Sequence, residues 1–283
     1  MRRKSPRIGY KETQVKIDLH IHSTASDGSD TPEQIVERAA RSGMEAIALT
    51  DHDSVGGLSR AREACRGTNV ALVDGIELST YSTTEIHILG YGIDPQNANL
   101  LERLETFAQM RRERAAEILA KLRAYRIELD ASQLDGLPNV GRMHIAKMLV
   151  SAGYCANVPE AFDRYLGQNG CVYCPSKRII PSHGVQLIRD AGGVAVIAHP
   201  MRLLTSNRLQ DLIDGLRPYG LEGLEVYYPS HDAKTADRLA RIAQHNRLWM
   251  TGGSDYHGEN RGNIEMGCVR WSPDKALKKR LSI

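Results

Sequence analysis

The sequence Lys16-Ile17-Asp18-Leu19-His20-Ile21-His22 decides how the rest of the chain is interpreted. Its apolar and polar residues alternate, which is the period-2 pattern of a β-strand with two different faces. The imidazoles of His20 and His22 therefore point to the same side, within reach of one cation. A polar turn follows and brings back a carboxylate, Asp27. We predict that the remainder of the chain adds further ligands at this point.

Length, charge and cysteine usage are those of an ordinary globular protein. The chain has 283 residues, enough for one large α/β domain or for one domain with an insertion. Its net charge of +3 is too small for a nucleic-acid coat but is compatible with a basic pocket for an anionic substrate. Five cysteines, an odd number, without a secretory segment predict a cytoplasmic protein that has no disulfide framework.

Apolar runs alternate with helical patterns over most of the chain. Seven such runs with interleaved helices favour a distorted (β/α)7 barrel of the TIM type over an open doubly wound sheet. No Gly-rich dinucleotide fingerprint supports the open sheet. After the first strand, the runs cover residues 46–49, 70–79, 85–91, 194–197, 221–227 and 248–252.

One part of the chain departs from this alternation, because residues 99–178 contain helical patterns and no convincing strand. We predict a flexible basic tail (1–14), a first barrel part (15–98), a helical insertion that recognises substrate (99–178) and a second barrel part (179–283). Arg111 falls inside the apolar stripe of the first insertion helix. It is therefore either in a buried ion pair or directed at an anion in a cleft.

The potential metal ligands fall at or just beyond the C-terminal ends of the apolar runs, which in a barrel meet at one mouth. Only His87 lies near the start of its run, and it reaches the same mouth if that strand runs against its neighbours. A single histidine at a strand end is usually a polar loop residue, but six of ten at such places indicate a metal site. Imidazole and carboxylate suit Zn, Mn or Fe. The nine predicted ligands are His20, His22, Asp27, His52, Glu77, His87, His199, Asp255 and His257.

Several of these segments resemble, in order, the motifs of the PHP (polymerase and histidinol phosphatase) family. They are Asp18-Leu19-His20-Ile21-His22-Ser23, Thr50-Asp51-His52, Gly75-Ile76-Glu77, Ala198-His199-Pro200 and Gly253-Ser254-Asp255-Tyr256-His257. The insertion resembles the branch that contains nucleoside 3′,5′-bisphosphate phosphatases and 5′-to-3′ exoribonucleases. The matching segments there are Arg111-x-x-Arg114, 141–146 and 161–167, with Met143 where that branch usually has proline.

The resemblance implies two to three divalent metal ions (Mn, Fe or Zn) in a distorted seven-stranded barrel. Carried over residue by residue, the ligands form three groups: His20, His22, Glu77 and Asp255; Glu77, His87 and His199; and Asp27, His52 and His257. With Glu77 shared, each metal keeps open positions for water and phosphate oxygens. Asp18, on the same strand face as the histidines, is a candidate acceptor that fixes an imidazole tautomer.

The predicted reaction is metal-assisted hydrolysis of a phosphomonoester without a covalent nucleophile. His199, His257 and Asp255 are the catalytic candidates. The resemblance implies removal of the 3′-phosphate of a nucleoside 3′,5′-bisphosphate, or trimming of short 5′-phosphorylated RNA. Binding two phosphates at two points would select bisphosphates. The candidate substrate contacts are Arg111, Arg114, Arg142, His144, Lys177 and Arg202.

Two other functions stay open. The histidinol-phosphate phosphatase branch of the family is the enzymatic alternative, and a non-catalytic nucleotide-binding barrel is the other, although no ligand position is vacant. The expected partner is a phosphorylated nucleotide or short RNA, with no membrane and no obligate protein partner. Cys155 and the pair Cys171-Val172-Tyr173-Cys174 invite a structural zinc site, but one CxxC is a weak signal.

Overall fold

A computed structural model describes residues 16–137, 139–175, 178–202 and 206–283, with only the backbone described for 202, 206 and 207. The predicted basic tail (1–14) and Lys177 therefore lie outside the described residues, as does the side chain of Arg202. Within the described ranges, no helix is both long enough and apolar enough to cross a membrane.

Seven strands form one curved sheet. They are β1 (Ile17–Ile21), β2 (Ala46–Leu49), β3 (Ala71–Tyr81), β4 (Glu85–Tyr91), β5 (Val194–Ile197), β6 (Leu221–Tyr227) and β7 (Trp249–Gly252). Their order in the sheet is their order in the chain. Ile21 also forms a parallel bridge with Tyr256, just beyond β7, so the sheet curls until its first strand meets the segment after its last. The prediction of a distorted seven-stranded barrel is confirmed.

The helices of the described residues are α1 (Pro32–Arg41), α2 (Leu58–Cys65), α3 (Ala98–Ala124), α4 (Arg142–Ser151), α5 (Val158–Ala161), α6 (Pro181–Asp190), α7 (Ser206–Leu216), α8 (Ala233–His245) and α9 (Lys275–Leu281). The first begins as its sequence predicts. The hydroxyl of Thr31 accepts a hydrogen bond from the amide of Gln34, and Pro32 occupies the first helical position, where no amide donor is needed.

Short strands that are buried on both faces separate two apolar cores. In β2, Ile47 and Leu49 pack with side chains from the outer helices, whereas Ala46 and Ala48 belong to a second cluster inside the barrel. Because successive side chains of a strand point to opposite faces, the two clusters lie on the two sides of the sheet. Trp271 belongs to the inner cluster, so the C-terminal segment helps to fill the barrel.

The helical part between β4 and α6 has a core of its own. Leu100, Leu104 and Phe107 in the first half of α3 pack into the barrel core, but Leu119 and Leu122 belong to a separate cluster with α4 and α5. The described residues between 98 and 175 contain no strand. The inserted helical part is as expected, while the exact domain boundaries at 98 and 178 stay a prediction.

One strand runs opposite to the rest, and this matters for the site. Whereas the other neighbouring strands pair in parallel, β4 is antiparallel to both β3 and β5. The start of β4 therefore lies at the same mouth as the ends of the parallel strands, which brings His87 there. β3 and β4 form a hairpin at this mouth, in which Ser79 pairs with His87 and Tyr81 with Glu85.

Candidate active site

The nine predicted ligands converge at this mouth, around the buried carboxylate of Glu77. One group consists of His20 from β1, His22 directly after it, Glu77 from β3 and Asp255 from the turn after β7. Donor atoms of these four side chains all lie within 4.8 Å of one another, and all four side chains are buried. This group has the same members as the first predicted one.

A second group lies beside the first and shares His22 with it. Donor atoms of His22, Asp27, His52 and His257 lie within 4.8 Å of one another. The Oδ1 atom of Asp27 is 3.3 Å from Nε2 of His257 and 4.0 Å from Nε2 of His52. The structure thus brings the third predicted group together and adds His22 to it.

The remaining predicted group surrounds the other side of Glu77. Its Oε1 atom is 2.8 Å from Nδ1 of His87 and 3.0 Å from Nε2 of His199. Oε2 of Glu77 is 3.2 Å from Nδ1 of His52, so that Glu77, His52 and His87 also form a group able to hold a cation. Glu77 belongs to two of the three groups, which is the arrangement that a bridging ligand requires.

Buried atoms without hydrogen bonds show that these residues fit metal ions. Buried polar atoms in proteins are normally hydrogen-bonded, and a cation would satisfy several such atoms at once. A set of imidazole and carboxylate donors suits Zn, Mn or Fe. The unpaired donor atoms of the cluster are Nε2 of His20, both ring nitrogens of His22, Oδ1 of Asp27, Nδ1 of His52 and Oε2 of Glu77.

Electrostatics keep the carboxylates of the cluster charged. Burial opposes ionisation of Glu77, but the imidazoles of His52, His87 and His20 outweigh this effect and hold the pKa of Glu77 well below its usual value. The pKa of Asp255 is likewise held well below normal against burial, chiefly by the imidazoles that surround it. Burial lowers the pKa of His52 to about 3, which favours the neutral imidazole that binds metals.

Backbone geometry aims two of the predicted ligands into the mouth. His199 (φ 29°) and Asp255 (φ 55°) both adopt left-handed backbone conformations, which are costly for residues other than glycine. They lie directly after β5 and β7, where the chain turns away from the barrel. Strain of this kind is kept where the surrounding structure requires one side-chain direction, and here that direction is toward Glu77 and its imidazoles.

Glu225 in β6 supports the cluster and was not among the predicted site residues. Its Oε1 atom is 2.8 Å from Nδ1 of His20, and its Oε2 accepts the backbone amide of His199 at 2.6 Å. It fixes the tautomer that leaves Nε2 of His20 free for a metal. The strand contains a second glutamate, Glu222, so the sequence alone did not single out Glu225 as the buried one.

Asp18 does not have the role that we expected. Its carboxylate accepts hydrogen bonds from the backbone amides of His20 (3.2 Å), Ser254 (2.9 Å) and Gly267 (2.7 Å). These bonds tie β1 to the segments that follow β7. The imidazole contact that we assigned to Asp18 is made by Glu225 instead, because its strand lies nearer the ring of His20.

A cleft of about 120 Å³ opens beside the cluster, with walls from both the barrel and the helical part. Four arginines line it, two from α3, one from α4 and one from the segment before α6, and they are the most prominent feature of its chemistry. The cleft is lined by the predicted ligands Asp27, His52 and His87, by the arginines Arg111, Arg114, Arg142 and Arg178, and by Ser79, Glu85, Gly141, Met143 and Phe162.

Of the two alternatives that the sequence left open for Arg111, the structure shows the buried ion pair, while contact with an anion stays a prediction. Its Nε donates to the carboxylate of Asp53 at 3.1 Å, and its Nη2 donates to Asp53 and, at 3.0 Å, to the hydroxyl of Ser79. It also lines the cleft. Because Asp53 follows His52, and Asn139 donates to the carbonyl of His52, the helical part holds the turn that carries this predicted ligand.

The other arginines are fixed mainly by backbone carbonyls. Arg114 donates to the carbonyl oxygen of Cys174 from Nε (2.9 Å) and Nη2 (2.6 Å). Arg142 donates to the carbonyl of Leu166 at 3.3 Å, and its guanidinium lies 5.6 Å from the ring centroid of Phe162. These bonds hold the guanidinium groups of Arg114 and Arg142 in place, and Glu85 is the carboxylate that Arg142 shares with Arg178.

Of the remaining predicted substrate contacts, His144 does not line the cleft. Its Nδ1 accepts the backbone amide of Gly141 at 3.0 Å, which stabilises the start of α4. Arg178, which was not among the predicted substrate contacts, does line the cleft and contacts Glu85. Nothing in the local sequence pattern distinguishes Arg178 from a surface arginine.

Cys155 and Cys174 belong to the apolar core of the helical part rather than to a metal site. Cys155 and Cys174 are buried and Cys171 is exposed, and all five cysteines are free. None of the three groups that could hold a metal, among the residues that the structure describes, includes a cysteine. The weak zinc signal of the CxxC segment therefore finds no structural support.

Comparison with known proteins defines the class. A PHP domain is recognised over residues 18–166. At 34% identity the chain matches a 5′-3′ exoribonuclease of Haemophilus influenzae (89% of this chain, 93% of the relative) and a 3′,5′-nucleoside bisphosphate phosphatase of Chromobacterium violaceum (89% and 91%). It also matches, at 34%, a phosphoribosyl 1,2-cyclic phosphate 1,2-diphosphodiesterase of Eggerthella lenta (86% and 94%). A solved amidohydrolase of C. violaceum with bound sulfate superposes with a TM-score of 0.84 at 32% identity (94% and 97%).

The chain therefore belongs to the PHP family of metal-dependent phosphoesterases, as its motifs predicted. It is a hydrolase that acts on phosphoric esters. The relatives with equal identity differ in the ester that their names specify, so the substrate has to be argued from the site.

Proposed function

We propose that the protein removes the 3′-phosphate of nucleoside 3′,5′-bisphosphates. The ligand cluster would take the phosphate to be cleaved, and the arginine cleft would take the other one. The observation that carries this proposal is the position of four arginines in the wall of a cleft that also contains the predicted ligands Asp27, His52 and His87. A monophosphate would fill only one of the two adjoining anion sites.

The charge of the cleft matches a phosphate dianion. Asp53 and Glu85 contact the arginines, so the four guanidinium groups exceed the carboxylates paired with them by two positive charges; the third carboxylate, Asp27, belongs to the predicted metal ligands. A phosphomonoester carries a charge of about −1.5 to −2 at neutral pH. Burial, and next the guanidinium groups of Arg142 and Arg178, lower the pKa of Arg114 to about 10, which reflects the concentration of positive charge.

The three groups of side chains would hold two to three divalent ions, with Mn, Fe and Zn favoured by the donors. When bound, such ions lower the pKa of water and offset the charge on the transferring phosphoryl group. The arginines fix the distal phosphate and so orient the substrate for in-line displacement. Water adds its oxygen to phosphorus, the bond from phosphorus to the ribose 3′-oxygen breaks, and that oxygen takes up a proton.

The proton has two candidate carriers, His199 and His257. Nδ1 of His257 donates to the carbonyl oxygen of Asp255 at 2.8 Å, and its Nε2 lies 3.3 Å from Oδ1 of Asp27. Nε2 of His199 faces Glu77. Asp255 fits the role of a ligand that accepts hydrogen bonds from Tyr228 (2.7 Å) and Arg261 rather than that of a proton carrier.

Phosphate release from adenosine 3′,5′-bisphosphate by Mn²⁺-loaded protein tests this proposal. We expect kcat/KM at least about tenfold above the values for adenosine 5′-monophosphate, histidinol phosphate and a 5′-phosphorylated oligoribonucleotide, because only the bisphosphate fills both anion sites. Chromatography should identify adenosine 5′-monophosphate as the nucleoside product.

Each of the other possible assay results would support a different function. Faster turnover of histidinol phosphate would move the protein to that branch of the family, and release of mononucleotides from the oligoribonucleotide as the main activity would make it an exoribonuclease. No turnover of any phosphate ester by metal-loaded protein would support a binding module. We also infer a cytoplasmic location, since all five cysteines are free, and no obligate protein partner.

A further inference from the structure

Glu85 lies between the predicted metal cluster and the arginine cleft. It is the first residue of β4, two residues before His87, so both side chains point to the same face of the hairpin. That face forms part of the cleft wall, where both residues are found. The side chain of Glu85 is 33% exposed, so solvent reaches the carboxylate from the cleft.

Three cationic or imidazole groups converge on this single carboxylate. Oε1 of Glu85 is 2.9 Å from Nε2 of His87 and also contacts the guanidinium of Arg178, and Oε2 is 3.6 Å from Nη2 of Arg142. The other ring nitrogen of His87 is 2.8 Å from Glu77. The imidazole is therefore held at both nitrogens, with Glu77 on the side of the cluster and Glu85 on the side of the cleft.

This geometry has a known chemical meaning at metal sites. A histidine that binds a metal through one nitrogen commonly donates its other N–H to a carboxylate, which orients the ring and raises its basicity. The removal of such a carboxylate weakens metal binding by about 10- to 100-fold. An isolated exposed ion pair contributes little to stability. Glu85 differs, because two arginines restrict its position and the imidazole of His87 is hydrogen-bonded to it.

We propose that Glu85 is a positioning residue that directs His87 toward the centre at Glu77, and that Arg178 and Arg142 hold Glu85 in place. The inference rests on the proposed function, since it takes His87 to be a metal ligand and the arginines to bind phosphate. The arginine cleft then has a second task besides binding substrate, because it supports a side chain of the metal site.

The test measures Mn²⁺ affinity and stoichiometry of the purified full-length protein without nucleotide. Glu85→Ala removes the acceptor for His87, and we expect the affinity of one Mn²⁺ to fall at least about tenfold. Glu85→Gln keeps an oxygen that can accept from Nε2 of His87 but loses the charge, so we expect a smaller loss, of about threefold. Glu33→Gln, which breaks an exposed ion pair with Arg60 on the outer helices, is the matched control and should change nothing.

A purely structural ion pair predicts a different pattern. In that case Glu85→Ala and Glu85→Gln would lower the unfolding temperature alike and leave Mn²⁺ affinity within twofold of the unaltered protein, which would overturn the proposal. Arg178→Ala should weaken Mn²⁺ binding in the same direction as Glu85→Gln. Because no substrate is present, the result is independent of which ester is cleaved. If the bisphosphate assay failed while the Glu85 variants weakened Mn²⁺ binding as expected, only the substrate assignment would be rejected.

Discussion

The carboxylate of Glu77 is the most heavily used side chain of the site. Its Oε1 atom contacts His87 and His199, and its Oε2 atom lies within 3.1–3.2 Å of His20, His22 and His52. Five of the six clustered imidazoles thus face one carboxylate that is completely buried. The other donors are therefore arranged around this single negative charge.

Glu77→Gln should therefore cost both metal and activity. The variant keeps the size of the side chain but removes the charge that two donor groups share. We expect the loss of at least one bound metal equivalent and a fall in kcat of at least about 100-fold. Metal analysis and phosphate release measure these effects, with Glu33→Gln as the control. Full metal content together with normal kcat would contradict the assignment of Glu77 as a shared ligand.

Arg142→Ala tests the cleft at the same scale. We expect KM for the bisphosphate to rise at least about tenfold, because a charge-assisted contact to the distal phosphate contributes about 1.5–3 kcal/mol. At saturating Mn²⁺, where the weaker hold on Glu85 no longer limits metal content, the KM for a monophosphate ester should change little, since its only phosphate goes to the metals. Arg112→Ala is the matched control, as Arg112 is exposed on the same helix as Arg111 and pairs with Glu105. Equal effects on both substrates would reject the two-phosphate arrangement.

Sequence patterns identified individual residues when their meaning was local. His20 and His22 alternate with apolar residues and so share one side of the chain, and Asp255 and His257 stood out because they follow the end of an apolar run. Glu225 and Arg178 could not be recognised in this way, because their roles depend on neighbours from distant segments. The observed role of Asp18 could not be recognised for the same reason, since its partners include Ser254 and Gly267 from the other end of the sheet.

At the scale of elements, the start of α4 shows how a predicted binding residue can have another role. The imidazole of His144 accepts the amide of Gly141, and this requires an unprotonated Nδ1. Burial lowers the pKa of His144, so the folded protein favours the neutral ring. The family motif marked His144 correctly as a special residue, but the motif alone could not separate a helix-capping role from contact with substrate.

A pH dependence follows from this cap. Since the folded pKa of His144 is below its unfolded value of about 6.5, the unfolded chain binds more protons in acid, and stability falls as the pH drops below about 6.5. We expect the unfolding temperature of His144→Gln to fall less between pH 7 and pH 5.5 than the unfolding temperature of the unaltered protein. An equal loss in both proteins would show that His144 does not contribute.

The apolar and helical patterns predicted the element types along most of the chain, but these patterns alone did not predict the strand directions. Each predicted apolar run contains a strand, and the apolar stripe predicted for the first insertion helix is buried in α3, for example at Leu104, Phe107 and Leu119. A run such as 85–91 carries no information on whether it pairs in parallel. Only the short connection between β3 and β4 requires an antiparallel pair, because a parallel crossover needs a dozen or more residues.

At the scale of the whole molecule, metal binding and stability are coupled. The barrel mouth buries six donor atoms without hydrogen bonds, and a bound cation stabilises only the folded state that assembles them. The apolar pattern predicted the barrel, and the ligand positions predicted where its mouth lies. The cleft could not be predicted, because it exists only between the helical part and the barrel.

Metal removal should therefore lower the unfolding temperature. Treatment of Mn²⁺-loaded protein with a chelator is expected to reduce it by at least about 5 °C, and Mn²⁺ added back should restore it. Mg²⁺ should restore less, since imidazole donors suit it poorly. Differential scanning calorimetry measures the change. An unfolding temperature that does not respond to the chelator would contradict the coupling of metal binding to folding.

The meeting of the first and last strands has a consequence for biosynthesis. Asp18 and Ser254 share a hydrogen bond although they are 236 residues apart, and His20 and His22 share a group of donors with Asp255. A nascent chain on the ribosome contains His20 and His22 long before Asp255 is added. The complete donor group therefore forms only after β7 and the turn that follows it have been synthesised, and a prematurely terminated chain that ends before β7 cannot become an unregulated hydrolase.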